Sequence, residues 1–248
     1  MDGLLAGQVA IVTGAARGIG RATSERLAAD GAHVAFFDKD GDAAEAVAGS
    51  LGERATVFQV DVTDPAGVRL SVEAVLAAHG RIDVLVNNAG IYPHTPFAEL
   101  AFDEWRRVFA TNLDGMFLVT NAVWPTMVER GYGRIVNIGS ATFLIGYPEL
   151  AAYIASKGGV VGFTRGLAYE AGVHGITVNC ITPGFIATEG TQVEDPTGEL
   201  FDEIVAGQAI RRRGQPEDIV ECIAYLVSPN SGYITGQTIN IDGGHRLH

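Results

Sequence analysis

The sequence predicts an α/β fold, a doubly wound parallel sheet of about seven strands with helices on both faces. Three observations carry that expectation. Short runs rich in β-branched and apolar residues alternate with longer Ala-rich amphipathic stretches from one end of the chain to the other. The short runs are apolar throughout rather than on alternate positions, as strands are when helices cover both faces of their sheet. Regular alternation of strand and helix is the pattern of a parallel sheet, whose strands need helical crossovers between them.

In chain order, the first strand is expected over residues 9–13, Val-Ala-Ile-Val-Thr, followed by a glycine-rich turn and a helix over 18–29. The second and third strands fall at 33–37 and 56–60, with a helix at 65–78 and a fourth strand at 84–87. A long helix at 102–129 leads to a fifth strand at 134–138. A helix at 151–171 then leads to a sixth strand at 177–181, and one at 216–227 to a seventh at 238–241. No internal repeat, low-complexity tract or Pro/Gly/Ser-rich linker breaks the 248 residues, so residues 1–248 read as one domain with a substrate-loop region at about 185–213.

Composition narrows the function. With 47% hydrophobic residues and 32 glycines the chain is expected to be compact and rich in tight turns. Its formal charge of -12 argues against a nucleic-acid partner, which draws on clustered Lys and Arg. Arg211-Arg212-Arg213 is the one basic run, either a solvated loop or a contact to an acidic substrate or subunit. Cys180 and Cys222 lie in apolar surroundings and read as small core residues. Six scattered histidines without an H-E-x-x-H pattern leave no expected metal site. Residues 1–8 show no leader pattern and no long apolar run occurs, so a cytoplasmic protein without membrane contact is expected.

Chemistry enters at Thr13-Gly14-Ala15-Ala16-Arg17-Gly18-Ile19-Gly20, between the first strand and first helix. Glycines at 14, 18 and 20 permit a tight turn and let backbone N–H groups at the helix N-terminus approach a pyrophosphate. Asp38 ends the second strand, where a carboxylate accepts hydrogen bonds from an adenosine ribose and repels a 2′-phosphate. NAD is therefore the expected cofactor; Arg17 and Lys39, which could reach a 2′-phosphate, are the counterevidence. Tyr153 and Lys157 stand four residues apart on one helix face, where both can meet one reacting group. A phenol near pKa 10 is a poor acid or base at neutral pH, and a nearby ammonium is expected to lower it. Taken alone, the pair also fits an exposed, solvated helix face.

With Gly14, Gly18, Gly20, Asp61, Asn87-Asn88-Ala89-Gly90, Asn112, Ser140, Tyr153 and Lys157 in order, and Pro183-Gly184, Ile234-Thr235-Gly236-Gln237 and Asp242-Gly243-Gly244 after them, the chain resembles the short-chain dehydrogenase/reductase family over about residues 7–244. The resemblance implies a Rossmann-like fold and an NAD-dependent oxidoreductase that interconverts a secondary alcohol and its ketone or aldehyde. It implies that Tyr153 is the general acid/base, that Ser140 polarises the same oxygen, and that Lys157 binds the nicotinamide ribose and lowers the Tyr153 pKa. Asn112, in the long helix, would hold a water linking Lys157 to solvent. For the cofactor it implies Gly14, Arg17, Gly18, Ile19, Gly20, Asp38, Asp61 with the Val62 backbone, Asn88, Ala89, Gly90, Tyr153, Lys157, Pro183, Gly184, Ile186 and Thr188. Asn87 would brace the central sheet. Without the resemblance, Ser140, Asn112, Asp61 and Asn87 to Gly90 read as turn or helix-interior polar residues.

Substrate choice is expected from loops at 91–97, 141–150 and 185–213. Tyr92, His94, Phe143, Leu144, Ile145, Tyr147 and Phe185 form an expected, largely apolar wall for a ring-bearing alcohol or ketone that also meets Ser140 and Tyr153; His94 is either its polar recognition residue or solvent-exposed. Residues 188–207, with Pro196 and Gly198, are expected to form a lid. Within the family, Ala89 to Pro93 with Pro96-Phe97 resembles aryl-alcohol dehydrogenases of the 1-phenylethanol type, and the later half is similar to bacterial pyridoxal 4-dehydrogenase. A 3-oxoacyl carrier-protein reductase is the enzymatic alternative, which Arg211 to Arg213 could support and Asp38 disfavours, NADPH being the usual reductant for synthesis. A non-catalytic dinucleotide-binding scaffold is the other. By analogy a homotetramer is expected, joined through the helices at 102–129 and 151–171.

Overall fold

Seven parallel strands form one sheet in the computed structural model, which describes residues 3–246. They are β1 (Val9–Thr13), β2 (His33–Asp38), β3 (Ala55–Gln59), β4 (Val84–Asn87), β5 (Gly133–Ile138), β6 (Ile176–Pro183) and β7 (Thr238–Ile241), in the order β3-β2-β1-β4-β5-β6-β7. The chain builds outward from β1 to β3, then returns to lay β4 on the other side of β1. A crevice at the C-terminal ends of β1 and β4 follows from that reversal, and ligands of such sheets bind there.

The ten helices of the described residues are α1 (Gly18–Ala29), α2 (Gly41–Ala48), α3 (Pro65–His79), α4 (Phe102–Phe109), α5 (Gly115–Arg130), α6 (Thr142–Ile145), α7 (Ala151–Ala171), α8 (Glu189–Glu194), α9 (Glu199–Gly207) and α10 (Pro216–Val227). Every residue of β1 is buried, and its alternation feeds two cores. Ala10 and Val12 pack with Leu27, Ile219 and Ile223 of α1 and α10, while Val9 and Ile11 pack with Val72, Val119 and Met127 of α3 and α5. Burying one such large aliphatic side chain contributes about 2 kcal/mol.

Three elements depart from expectation. Helix α2 has no long apolar stripe and is marked instead by its cap: the Asp40 carboxylate accepts from Ala43 N at 3.2 Å. The stretch expected as one helix over 102–129 is interrupted between α4 and α5 by a π-helical turn, Ala110–Asp114. Such turns recur at functional sites. The loop region at 185–213 contains α8 and α9, separated by Gly198 at φ +80. Among the described residues no helix is long and apolar enough to cross a membrane.

Candidate active site

The glycine-rich turn is held by its neighbours' backbones. Thr13 ends β1, and its Oγ1 accepts from Asn88 N and Ala89 N, each at 3.0 Å. Asn88 Nδ2 donates to Thr13 O and Gly14 O at 3.0 Å, so the Asn88 side chain, expected along the cofactor, braces the turn. A Cβ on Gly20 would fall 2.0 Å from Gly14 O, and one on Gly14, at φ +63, would meet Ala89 Cα at 3.0 Å. The turn therefore presents backbone N–H groups at the N-terminus of α1, two of which already bond carboxylates, Ala16 N that of Asp38 and Gly18 N that of Glu189. Asp38, at the end of β2, accepts from Ala16 N at 2.9 Å and Asp40 N at 3.0 Å. Each oxygen keeps capacity for a further donor such as a ribose hydroxyl. Arg17 is committed to Asp40 at 2.5 Å. Hydrogen bonds from Thr63 N and Oγ1, both 2.8 Å, hold Asp61 below the usual carboxylate range. Val62 is buried where a Cβ on Gly115 would come within 2.7 Å of it. A glycine-lined turn whose Gly18 N already bonds a carboxylate, with Asp38 at its side, fits the pyrophosphate and ribose of a dinucleotide.

Tyr153 and Lys157 lie on the inner face of α7, beneath the C-terminal edge of β5. Lys157 is 4% exposed; its Nζ donates to Ile138 O at 2.7 Å and sits 5.6 Å from the Tyr153 ring centroid. Gly90, the other candidate neighbour, is close enough that a Cβ there would lie 3.6 Å from Nζ and 3.3 Å from Asn112 Oδ1. Burial lowers the Lys157 pKa to about 8, with the Cys180 thiol opposing. Burial also dominates at Tyr153 and pushes it up to about 12; the Ser140 hydroxyl pulls the other way, while Tyr92 and Glu194 add to the rise. This runs against the expected lowering of Tyr153: desolvation is the largest influence, and the Lys157 ammonium is turned toward Ile138 O. Ser140 sits just past β5, its Oγ 2.8 Å from Thr142 Oγ1 and accepting from Thr142 N at 3.2 Å.

Asn112, in the π-helical turn, is 2% exposed and locks three segments together. Its Oδ1 accepts from Ile91 N at 2.8 Å, and its Nδ2 donates to Ile91 O at 2.9 Å and Ser156 Oγ at 3.0 Å. Ser156, fully buried, donates in turn to Tyr153 O at 2.7 Å. The Asn112 side chain is thus committed to protein groups. Ser156 went unnoticed in the sequence, although it stands inside the Tyr153-to-Lys157 segment. Asn87 behaves as expected: its Nδ2 donates to Asn137 Oδ1 at 2.9 Å and Thr120 Oγ1 at 3.0 Å, bracing β4 against β5.

Around Tyr153 the expected wall is partly assembled. The Tyr92 ring meets the Tyr153 ring edge-on at 5.8 Å, and the Tyr147 ring meets His94 at 6.3 Å. Phe143 lies over Gly158 of α7, where a Cβ would come within 3.0 Å of the ring. Phe185 pairs with Phe201 of α9 at 4.2 Å. His94 faces carboxylates on both sides, Glu149 at 3.9 Å and Glu194 at 3.6 Å. Glu149 holds φ +64, a left-handed conformation uncommon for a residue other than glycine. Pro183 closes β6, Gly184 N donates to Ile241 O at 2.8 Å, and Ile186 is buried with its carbonyl accepting from Thr191 Oγ1 at 2.7 Å. Thr188 caps α8, accepting from Thr191 N at 3.3 Å, and its methyl faces Gly18. Glu189 accepts from Gly18 N at 3.1 Å, which ties α8 to the glycine-rich turn; Ile19, beside it, packs on the core. Glu189 and Glu194 were not anticipated, since nothing in sequence spacing places α8 over the crevice.

The basic run is mostly neutralised within the chain. Arg212 pairs with Asp218 at 2.5 Å, and Arg213 pairs with Asp202 at 2.9 Å while covering the Phe201 ring. Cys180 is fully buried and Cys222 partly so.

A family model described as Enoyl-(Acyl carrier protein) reductase matches residues 14–246. The chain is 38% identical over 240 residues to the 3-oxoacyl-acyl-carrier-protein reductase of Escherichia coli K12, covering 96% of this chain and 97% of that protein. It is 42% identical over 245 residues to the corresponding reductase of Synechocystis, covering 97% of each. Among solved structures, a putative gluconate dehydrogenase from Agrobacterium tumefaciens aligns with a TM-score of 0.92 at 36% identity, covering 97% of this chain and 96% of that one. The glycine-rich turn, the ordered Ser140, Tyr153 and Lys157, and these near-full-length matches agree: the chain belongs to the short-chain dehydrogenase/reductase family, whose members are oxidoreductases using a nicotinamide cofactor.

Proposed function

We propose that the protein is an NAD(H)-dependent ketoreductase that interconverts a 3-oxoacyl thioester and its 3-hydroxyacyl counterpart. The observation that carries the reaction class is the placing of Tyr153 between Ser140 and Lys157 beside the glycine-rich turn. Relatives named 3-oxoacyl-acyl-carrier-protein reductase, alike over nearly the full length, support the acyl substrate. When bound, the cofactor supplies or receives the hydride. The turn and the N-terminus of α1 bind its pyrophosphate, and Asp38 takes the adenosine ribose. Tyr153 gives its proton to the carbonyl oxygen in reduction and takes it back in oxidation, and Ser140 donates to the same oxygen. Lys157, with N–H groups beyond the one given to Ile138, holds the nicotinamide ribose. Because the Asn112 side chain is committed, any water it holds for proton relay meets its backbone.

Two features support NAD over NADP. Asp38 repels a 2′-phosphate, and Arg17, one of the two cations that could attract one, is paired with Asp40, while Lys39 is the counterweight. Arg212 and Arg213 are each paired with a carboxylate, which weakens the case for the basic run meeting an acidic carrier and favours the thioester as the recognised group. A second reading, oxidation of a ring-bearing secondary alcohol, is favoured by Tyr92 and Phe143 beside Tyr153. A sugar acid, as in the printed name of the structural neighbour, fits less well beside Glu149 and Glu194. Exposed Phe102, Phe117 and Tyr169 on α4, α5 and α7 support assembly into a homotetramer.

The test is kcat/KM for acetoacetyl-CoA and for acetophenone with NADH and NADPH. The thioester with NADH is expected to be best; a preference for acetophenone establishes the second reading, and a strong NADPH preference overturns the cofactor assignment.

A further inference from the structure

We infer that Glu194 is a substrate-discriminating residue, whose carboxylate at the cleft mouth excludes compounds carrying an anionic group next to the reacting carbonyl and so selects uncharged ones. The inference deepens the proposed function and rests on Tyr153 being the reacting phenol.

Three segments converge there. The chain after β4 brings Tyr92 and His94, the loop between α6 and α7 brings Tyr147 and Glu149, and α8 brings Gly190 and Glu194. Tyr92 connects this cluster to the reaction centre, because its ring stands 5.8 Å from that of Tyr153 and its hydroxyl lies where a Cβ on Gly190 would come within 2.4 Å. Helix α8 is anchored at its other end by the reciprocal Thr188–Thr191 cap, with Thr191 Oγ1 also donating to Ile186 O at 2.7 Å, contacts that do not use Gly18 N. That places Glu194, the last residue of α8, beside His94 and on the same side as Tyr92.

Its charge is only partly offset, His94 acting against the larger effect of burial. The single nearby basic group in the cluster, His94, stands at 3.6 Å, beyond a hydrogen bond, and faces Glu149 as well. The Glu194 side chain is 24% exposed, and burial raises its pKa while its charge raises those of Tyr92 and Tyr153. A charge that is felt at the phenol is felt by any second anion placed against it, and at an intermediate dielectric that repulsion changes binding by an order of magnitude. Glu149, more open to solvent, is screened.

The experiment compares ethyl acetoacetate with acetoacetate, a neutral ester and its anion, by NADH oxidation in wild type, Glu194→Gln and Glu149→Gln. Wild type is expected to favour the ester strongly, and Glu194→Gln to narrow the ratio of kcat/KM values about tenfold, through KM of the anion. Glu149→Gln is expected to narrow it less than threefold. Should Glu194→Gln fold poorly, Glu194→Met serves, since only the ratio is read. An unchanged ratio, or a wild type that reduces acetoacetate as readily as its ester, overturns the inference. If wild type reduces neither but turns over acetophenone, the 3-oxoacyl reading has failed. The inference is then judged on methyl benzoylformate against benzoylformate, whose carboxylate adjoins the reacting carbonyl, with the same expected shift.

Discussion

Replacing Lys157 by Met should make the enzyme inactive and yet relieve a cost to folding that depends on pH. In the folded protein burial lowers the lysine from its ordinary 10.5 to about 8. The unfolded chain keeps that proton up to about 10.5, so between the two values it binds more protons than the folded state, and stability rises with pH. The cost of burying the charge is complete below about pH 8 and gone above about 10.5. From the two pKa values it amounts to about 3 kcal/mol at pH 7 and about 1 kcal/mol at pH 10. The variant loses this dependence. It also strands Ile138 O, now bonded to Nζ at 2.7 Å, which costs about 1–3 kcal/mol but equally at both pH values. Tyr153, also pH-sensitive, is common to both proteins and cancels. The stability of wild type relative to Lys157→Met should therefore improve by about 2 kcal/mol from pH 7 to pH 10. Urea unfolding at fixed protein concentration measures it. A difference constant to within about 0.5 kcal/mol over that range would refute the reasoning, because it would mean that the folded lysine is not deprived of its proton by burial.

Tyr153→Phe should lower kcat by about 10²–10⁴-fold while NADH titration gives a near-normal Kd, and full activity would exclude Tyr153 as the acid/base. Asp38→Ser should raise NADPH use at the expense of NADH, and adding Asp40→Ala, which frees Arg17, should raise it further in steady-state assays. Gly20→Ala places a carbon 2.0 Å from Gly14 O, so NADH binding should be lost in a fluorescence titration even where circular dichroism shows a folded protein.

Strands and most long helices were legible because apolar runs and amphipathic periodicity are local signals. Helix α2 was missed since an eight-residue helix with an Asp cap carries little periodicity. The π-helical turn was missed because it preserves the apolar pattern on either side of Asn112 while changing which groups that residue can reach. Gly14, Gly18, Gly20 and Asp38 were readable because the turn needs those residue types wherever it forms. Ser156, Asp40, Glu189 and Glu194 act through partners distant in sequence, and spacing alone does not reveal such partners.

The sequence by itself determined the α/β architecture, the glycine-rich cradle, the carboxylate at the end of β2 and the ordered Ser140, Tyr153 and Lys157, because each follows from local composition or fixed spacing. Only the tertiary structure decided the electrostatics. Burial is the largest influence on Tyr153 and Lys157, and Arg17, Arg212 and Arg213 are each paired with a carboxylate of the chain. The packing of α8 beside the glycine-rich turn brings a second carboxylate, Glu194, to within 3.6 Å of His94. Desolvation and pairing depend on what the fold brings near, and that information is not local to any segment of the chain.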